Sequence, residues 1–115
     1  MVEFINARDQ IPASQQSIYV DDLFLANGAS QAIHEVLASL IRPGEDAVII
    51  PILQYPLYAA ELVLANAHIV KYYLEEESNW SLNILELELA YAEAKVKPSM
   101  LVLINPGNPT GQVLS

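Results

Sequence analysis

Cysteine is absent from the sequence. Disulfides, thiolate catalysis and cysteine-bound zinc are therefore excluded. Positive charge is scarce: five Lys and Arg stand against 14 Asp and Glu, a net charge of −9 at pH 7. A nucleic-acid groove needs a cationic face to displace counterions, and so does docking on an anionic lipid surface. Neither a nucleic-acid nor a membrane partner is expected. Long apolar runs are missing as well. The stretch from Ala47 to Leu53 is far short of the roughly 20 residues needed to cross a bilayer. No basic segment opens the chain, so no signal peptide is expected, and the expected location is cytoplasmic.

What is present is unusually apolar. Apolar residues make up 53% of the 115 residues and charged residues only 17%. A domain of this size has much surface relative to its volume and should carry more polar groups. The composition reads as core elements of a larger protein. Nothing resembles a linker, so residues 1–115 are expected to form a single segment without an internal domain boundary.

Helix and strand patterns alternate along the chain. Met1–Arg8 reads as the end of a helix, and Asp9–Ser17, with Pro12 and three Gln, as a loop. Asp22–Ala26 reads as a short apolar strand. Asn27-Gly28 signals a turn into a helix with its apolar stripe at Ile33, Val36, Leu37, Leu40 and Ile41, at helical spacing. Arg42-Pro43-Gly44 ends it. Ala47–Ile50 is a continuous apolar run, as in a strand covered on both faces. Tyr55–Leu64 is expected to be helical and Ala67–Leu74 a strand, followed by an acidic turn over Glu75–Asn79. Asn83–Lys97 has an apolar stripe at Leu85, Leu89, Ala92 and Val96, with Glu93 placed to pair Lys97 at i, i+4. Met100–Ile104 is a fourth strand, and Asn105–Gly111 a Pro/Gly loop. The fold class that follows is α/β, a mostly parallel sheet with flanking helices.

Three segments could hold a ligand. Gly28-Ala29-Ser30 opens a helix, where the first backbone N–H groups lack internal partners and bind anions well. Alternatively Asn27 or Ser30 merely caps that helix. Tyr55 follows the second strand, at the strand end where parallel sheets bind ligands; its ring could stack on a planar group or simply close the loop. Asn105-Pro106-Gly107-Asn108-Pro109-Thr110-Gly111 is the most informative segment. Two Asn-Pro steps and two Gly in one loop fix a particular backbone path, and the Asn side chains could hydrogen-bond a ligand. No Lys precedes the Thr as a P-loop would require. His34 and His68 have no ligand-like partners nearby in sequence, so no metal site is expected. Asn79-Trp80-Ser81 is a formal glycosylation sequon without a secretory signal.

The segments NGASQAIHEVLASLIRPGEDAVIIPILQYPLYAAELVLANA, YYLEEESNWSL and LVLINPGNPTGQVLS resemble, in order and spacing, the fold-type I pyridoxal-phosphate aminotransferases, most closely the alanine aminotransferases. The resemblance covers nearly the whole chain, and NPGNPTG together with QYPLY makes it specific. It implies an incomplete large domain of that fold, with pyridoxal 5′-phosphate as cofactor, amino acids and 2-oxo acids as substrates, and a homodimer. It implies that Ala29 and Ser30 cradle the cofactor phosphate, with Gly28 allowing close approach. By the same resemblance Tyr55 stacks on the pyridine ring, Asn108 hydrogen-bonds the phenolic oxygen, and Pro109 follows a cis peptide bond. The alanine-type pattern has Pro where Leu53 stands here.

The family also needs a lysine that links to the cofactor (the aldimine lysine), an Asp at the pyridine nitrogen and an Arg for the substrate carboxylate. Lys71, Lys95 and Lys97 lie in no matching motif, so no catalytic residue is assigned. In the family's sheet the first strand of this segment is not adjacent to the others, so Asp22–Ala26 is expected to lack neighbours while the other three strands pair. The chain stops shortly after its most unusual loop, which fits a partial chain. The expected activity is transamination between alanine and 2-oxoglutarate as part of a longer enzyme. The competing expectation is a non-catalytic truncated or relic chain that associates with a full-length relative. A free-standing phosphate-binding module is disfavoured, because it ignores NPGNPTG.

Overall fold

A computed structural model describes residues 1–10, 12, 14 and 18–114. The chain forms two compact units, Met1–Ala32 and Ile33–Ser115.

The first unit opens with helix α1, Val2–Arg8. Its end is closed by Asp9 N–H donating to the Ile5 carbonyl at 2.9 Å, and Arg8 pairs with the Asp9 carboxylate at 2.7 Å. The loop expected over Asp9–Ser17 falls partly outside the described residues. Val20–Asp22 is one turn of 3₁₀ helix, where Asp22 accepts from Tyr19 N–H at 2.9 Å. Asp22–Ala26 is not a strand, contrary to its apolar pattern. A strand exists through the ladder it shares with a neighbour, and these residues pair with none of the described strands. Phe24 and Leu25 are left exposed.

Helix α2, Ala29–Leu40, begins in the first unit and continues into the second. There it is followed by strand β1, Ala47–Ile52; helix α3, Leu57–Leu64; strand β2, His68–Tyr73; helix α4, Ile84–Glu93; and strand β3, Pro98–Leu101. The three strands form a parallel sheet in the order β2-β1-β3. Parallel strands need crossovers, which α3 and α4 supply. The three strands expected to pair with one another are the three that form the sheet. β1 lies in the middle, which explains its unbroken apolar sequence: five of its six residues are buried.

Strand pleating sends Val48 and Ile50 to one face. They meet Leu37 and Ile41 at the end of α2 and Leu62 of α3, flanked by Ile33, Ile69, Met100 and Val102. Of the stripe read from the α2 sequence, Val36 and Leu40 stay exposed. α4 runs along β2. It stops at Glu93, four residues short of the expected end, because Ala94 turns to extended backbone. Lys97 therefore does not continue a helix to reach Glu93. Its ammonium donates to the Tyr91 and Ala92 carbonyls, both at 3.1 Å, closing the end of α4 where the helix dipole favours a cation.

The amino end of the sheet is held by a buried charge. Asp46, immediately before β1, is 5% exposed. Its carboxylate accepts from Arg42 backbone N–H at 2.8 Å, from Arg42 Nη2 at 2.7 Å and from Ser99 Oγ of β3 at 3.4 Å. The Arg42 side chain and backbone hold the Asp46 carboxyl at about 2, well below its ordinary value. Between α2 and α3, His34 Nδ1 meets Glu61 Oε2 at 2.7 Å, and this hydrogen bond raises the imidazole pKa.

Candidate cofactor site

Because β1, β2 and β3 are parallel, the segments that follow them all leave the same, carboxyl edge of the sheet. Ligands bind outside that edge in open α/β sheets. β1 leads into Leu53–Pro56, β2 into the turn before α4, and β3 into the loop that contains Asn105–Gly111.

The last loop folds back on itself. Gly107 N–H donates to the Gln112 carbonyl at 2.7 Å and Gly111 N–H to the Gly107 carbonyl at 2.8 Å. Asn105 Oδ1 accepts from Leu114 N–H at 3.0 Å. The Asn105–Pro106 and Asn108–Pro109 peptide bonds are both cis, the second as the family resemblance implied. Gly107 is required by space rather than by its dihedral angles: a Cβ there would run into Thr110 Oγ1. The Asn108 side chain is exposed and has no hydrogen-bond partner among the described residues. Its two donors and its acceptor are therefore available to a ligand.

Tyr55 stands just before α3, whose first turn is preceded by Pro56. Tyr55 as a residue is 52% exposed. The Ile52–Leu53 peptide bond is cis. Leu53 shares a small cavity of about 20 Å³ with Asn108, Tyr72, Trp80, Thr110 and Gln112, and Tyr55 is not part of its lining. The Tyr72 hydroxyl crosses over β1 to donate to the Val102 carbonyl at 3.2 Å, and burial raises its pKa.

Gly28, Ala29 and Ser30 belong to the first unit. Gly28 has φ +93° and open space where a side chain would be, a conformation that glycine adopts without steric cost. Gln31 reaches back to accept from Asn27 N–H at 3.2 Å. Neither Asn27 nor Ser30 caps α2 with its side chain, and no described residue accepts from the backbone N–H of Ala29, Ser30 or Gln31. The N-terminus of α2 thus presents backbone donors that no described residue accepts, beside a glycine, an arrangement suited to an anion.

The sequence reading took Asn79 and Trp80 only as part of a formal sequon and passed over Gln112. Asn79 Nδ2 donates to Gln112 Oε1 at 2.9 Å, and Trp80 lines the cavity beside Asn108. The one available signal was a lone Trp inside an otherwise acidic turn. Among the described residues there is no cluster of three or more metal-ligating side chains, and no helix is long and apolar enough to cross a membrane.

A family model for aminotransferase class I and II matches residues 4–115. The chain belongs to the class I and II aminotransferases. It is 48% identical, over 118 aligned positions, to the mitochondrial alanine aminotransferase of Saccharomyces cerevisiae; the match covers 100% of this chain and 19% of that protein. It is 43% identical to the inactive alanine aminotransferase of the same yeast, again over 100% of the chain and 22% of the relative. The fold superposes on an alanine aminotransferase from Pyrococcus furiosus with a TM-score of 0.81, at 24% identity, covering 99% of this chain and 27% of that one. This aminotransferase chain therefore spans about a fifth of the length of the curated relatives it matches.

Proposed function

We propose that this chain is the cofactor-binding part of a pyridoxal-phosphate-dependent aminotransferase that exchanges an amino group between alanine and 2-oxoglutarate. The observation that carries the reading is Asn108, whose amide is exposed and has no partner among the described residues, at the carboxyl edge of the sheet, on a loop that its own hydrogen bonds hold in shape. Each unit offers groups of the chemistry the cofactor needs. In the first, the backbone N–H groups of Ala29 and Ser30, with the Ser30 hydroxyl, would hold its phosphate, and Gly28 has open space where a side chain would be. In the second, the Tyr55 ring would stack on the pyridine and the Asn108 amide would donate to the phenolic oxygen. When bound, pyridoxal phosphate supplies the electron-withdrawing ring that makes the amino-group exchange possible.

The 48% identity to a yeast alanine aminotransferase supports alanine as the amino donor. A homodimer belongs to the same proposal. None of the three lysines takes the role of the covalent lysine in this reading. Lys97 is engaged at the end of α4, Lys71 lies on β2, and Lys95 follows α4, away from the loops after β1 and β3.

The experiment combines two measurements. Purified chain mixed with pyridoxal phosphate, alanine and 2-oxoglutarate forms no more pyruvate than pyridoxal phosphate alone; faster turnover would overturn the lysine assignment. In the pyridoxal-phosphate-loaded protein, Asn108→Ala shifts the pH titration of the cofactor's absorbance. Loss of such a bond to a partly charged group costs about 1.5–3 kcal/mol, so an unmoved titration would show that Asn108 does not face the ring.

One observation favours a second reading, a non-catalytic chain that associates with a full-length relative: a protein named as inactive is 43% identical over the whole chain. Exposed apolar side chains such as Phe24, Leu25 and Leu64 supply surface for that association. Sequencing the transcript beyond Ser115 separates the two. An open frame with the covalent lysine supports the enzyme, and a stop codon supports the second reading.

A further inference from the structure

We propose that the turn between β2 and α4 is a strut for the loop that carries Asn108, with Asn79 and Gln112 as positioning residues. This inference rests on the reading of Asn108 as a cofactor contact.

The turn is closed at its base, where Glu75 N–H donates to the Ser81 carbonyl at 3.0 Å and Trp80 N–H to the Glu75 carbonyl at 2.8 Å. Its tip is two consecutive residues in the left-handed region, Asn79 at φ +57° and Trp80 at φ +60°. Asn tolerates that conformation, whereas a bulky aromatic adopts it only where its surroundings hold it. Here the surroundings are the cavity wall shared with Asn108, Thr110 and Gln112. The left-handed tip also aims Asn79 Nδ2 at Gln112 Oε1, 2.9 Å away and 33 residues along the chain.

Gln112 relays this anchorage inward. Its carbonyl accepts from Gly107 N–H at 2.7 Å, one residue before Asn108, and its Nε2 donates to the Val113 carbonyl at 2.9 Å. The loop is tied by its own backbone hydrogen bonds, and Thr110 Oγ1 fills the place of a Gly107 side chain. Among the described residues, the Asn79–Gln112 bond is the hydrogen bond that joins Asn105–Leu114 to another part of the chain. Cutting it frees the loop as a body and blurs the direction in which Asn108 donates.

Asn79→Gly removes the amide and keeps the positive φ accessible. In hydrogen-exchange mass spectrometry of the chain, this variant exchanges the Gly107 and Gly111 amides about two- to tenfold faster, the range for loss of one neutral hydrogen bond. Gln112→Ala does the same. Gln112→Glu, which still accepts from Asn79, retains the parent's protection. In the pyridoxal-phosphate-loaded protein, Asn79→Gly shifts the cofactor's absorbance titration in the same direction as Asn108→Ala and by less.

Unchanged exchange in Asn79→Gly overturns the strut. So does equal loosening by Gln112→Glu and Gln112→Ala, and so does faster exchange with an unmoved titration. Asn108→Ala keeps the strut bonds and leaves exchange as in the parent. If it also leaves the titration unmoved, the cofactor reading of Asn108 falls, while the exchange data still score the strut.

Discussion

Truncating Leu62 tests the packing of α3 on the sheet. Leu62 is 0% exposed, wedged between α3 and the Val48–Ile50 face of β1, while its neighbour Val63 is 68% exposed on the same helix. Leu62→Ala removes three side-chain carbons, at about 0.8 kcal/mol each, for roughly 2.4 kcal/mol of lost burial. The cavity left among Leu37, Ile41, Val48 and Ile50 adds to this, because β1 is fixed on both sides by its neighbours and cannot collapse inward; a total of about 3–4 kcal/mol is expected. Domains of this size are stable by about 5–15 kcal/mol, so the loss is a large fraction. Val63→Ala on the exposed face costs no more than about 0.5 kcal/mol. Urea denaturation followed by far-UV circular dichroism measures both, and the Leu62→Ala midpoint falls by about 1 M or more. Equal midpoints for the two variants would mean that α3 does not seat on β1 through Leu62.

Acid stability reports on Asp46. Its folded-state pKa of about 2 lies below the ordinary value of about 3.9, so its contribution is fully present above about pH 4 and is lost as the pH falls toward 2. Asp46→Asn flattens that acid limb in melts taken from pH 6 down to pH 2, and a limb as steep as the parent's would remove Asp46 from the account. Tyr72→Phe deletes the hydroxyl that reaches the Val102 carbonyl. It lowers stability by about 0.5–1.5 kcal/mol in the same urea assay, and a neutral result would mean that the hydroxyl takes a different partner.

The sequence made the sheet-forming half of the chain readable because its signals were local. Ala47–Ile50 is apolar without a break because β1 is central, and α3 and β2 begin and end within two residues of their expected bounds. The misreadings arose where a distant partner decides. Asp22–Ala26 has the composition of a strand but pairs with none of the described strands. Lys97 sits at helical spacing from Glu93, yet Ala94 ends the helix and the ammonium serves carbonyls instead. In the site, Asn108 and Tyr55 stood out through Pro and aromatic residues beside strand ends. Asn79 and Gln112 did not, because their bond spans 33 residues and the only short pattern that holds Asn79, the Asn79-Trp80-Ser81 sequon, says nothing of Gln112.

The Arg42–Asp46–Ser99 cluster and the Asn108 loop occupy opposite ends of one parallel sheet. Six residues of β1 lie between them, roughly 20 Å at the rise of an extended strand. At that separation, with no shared side chain, substitutions at the two ends add rather than interact. Evolution can therefore vary the carboxyl-edge loops without renegotiating the ionic fastening at the amino edge. A designer can likewise reinforce the Asp46 fastening first and spend the gained tolerance on the loops around Tyr55 and Asn108.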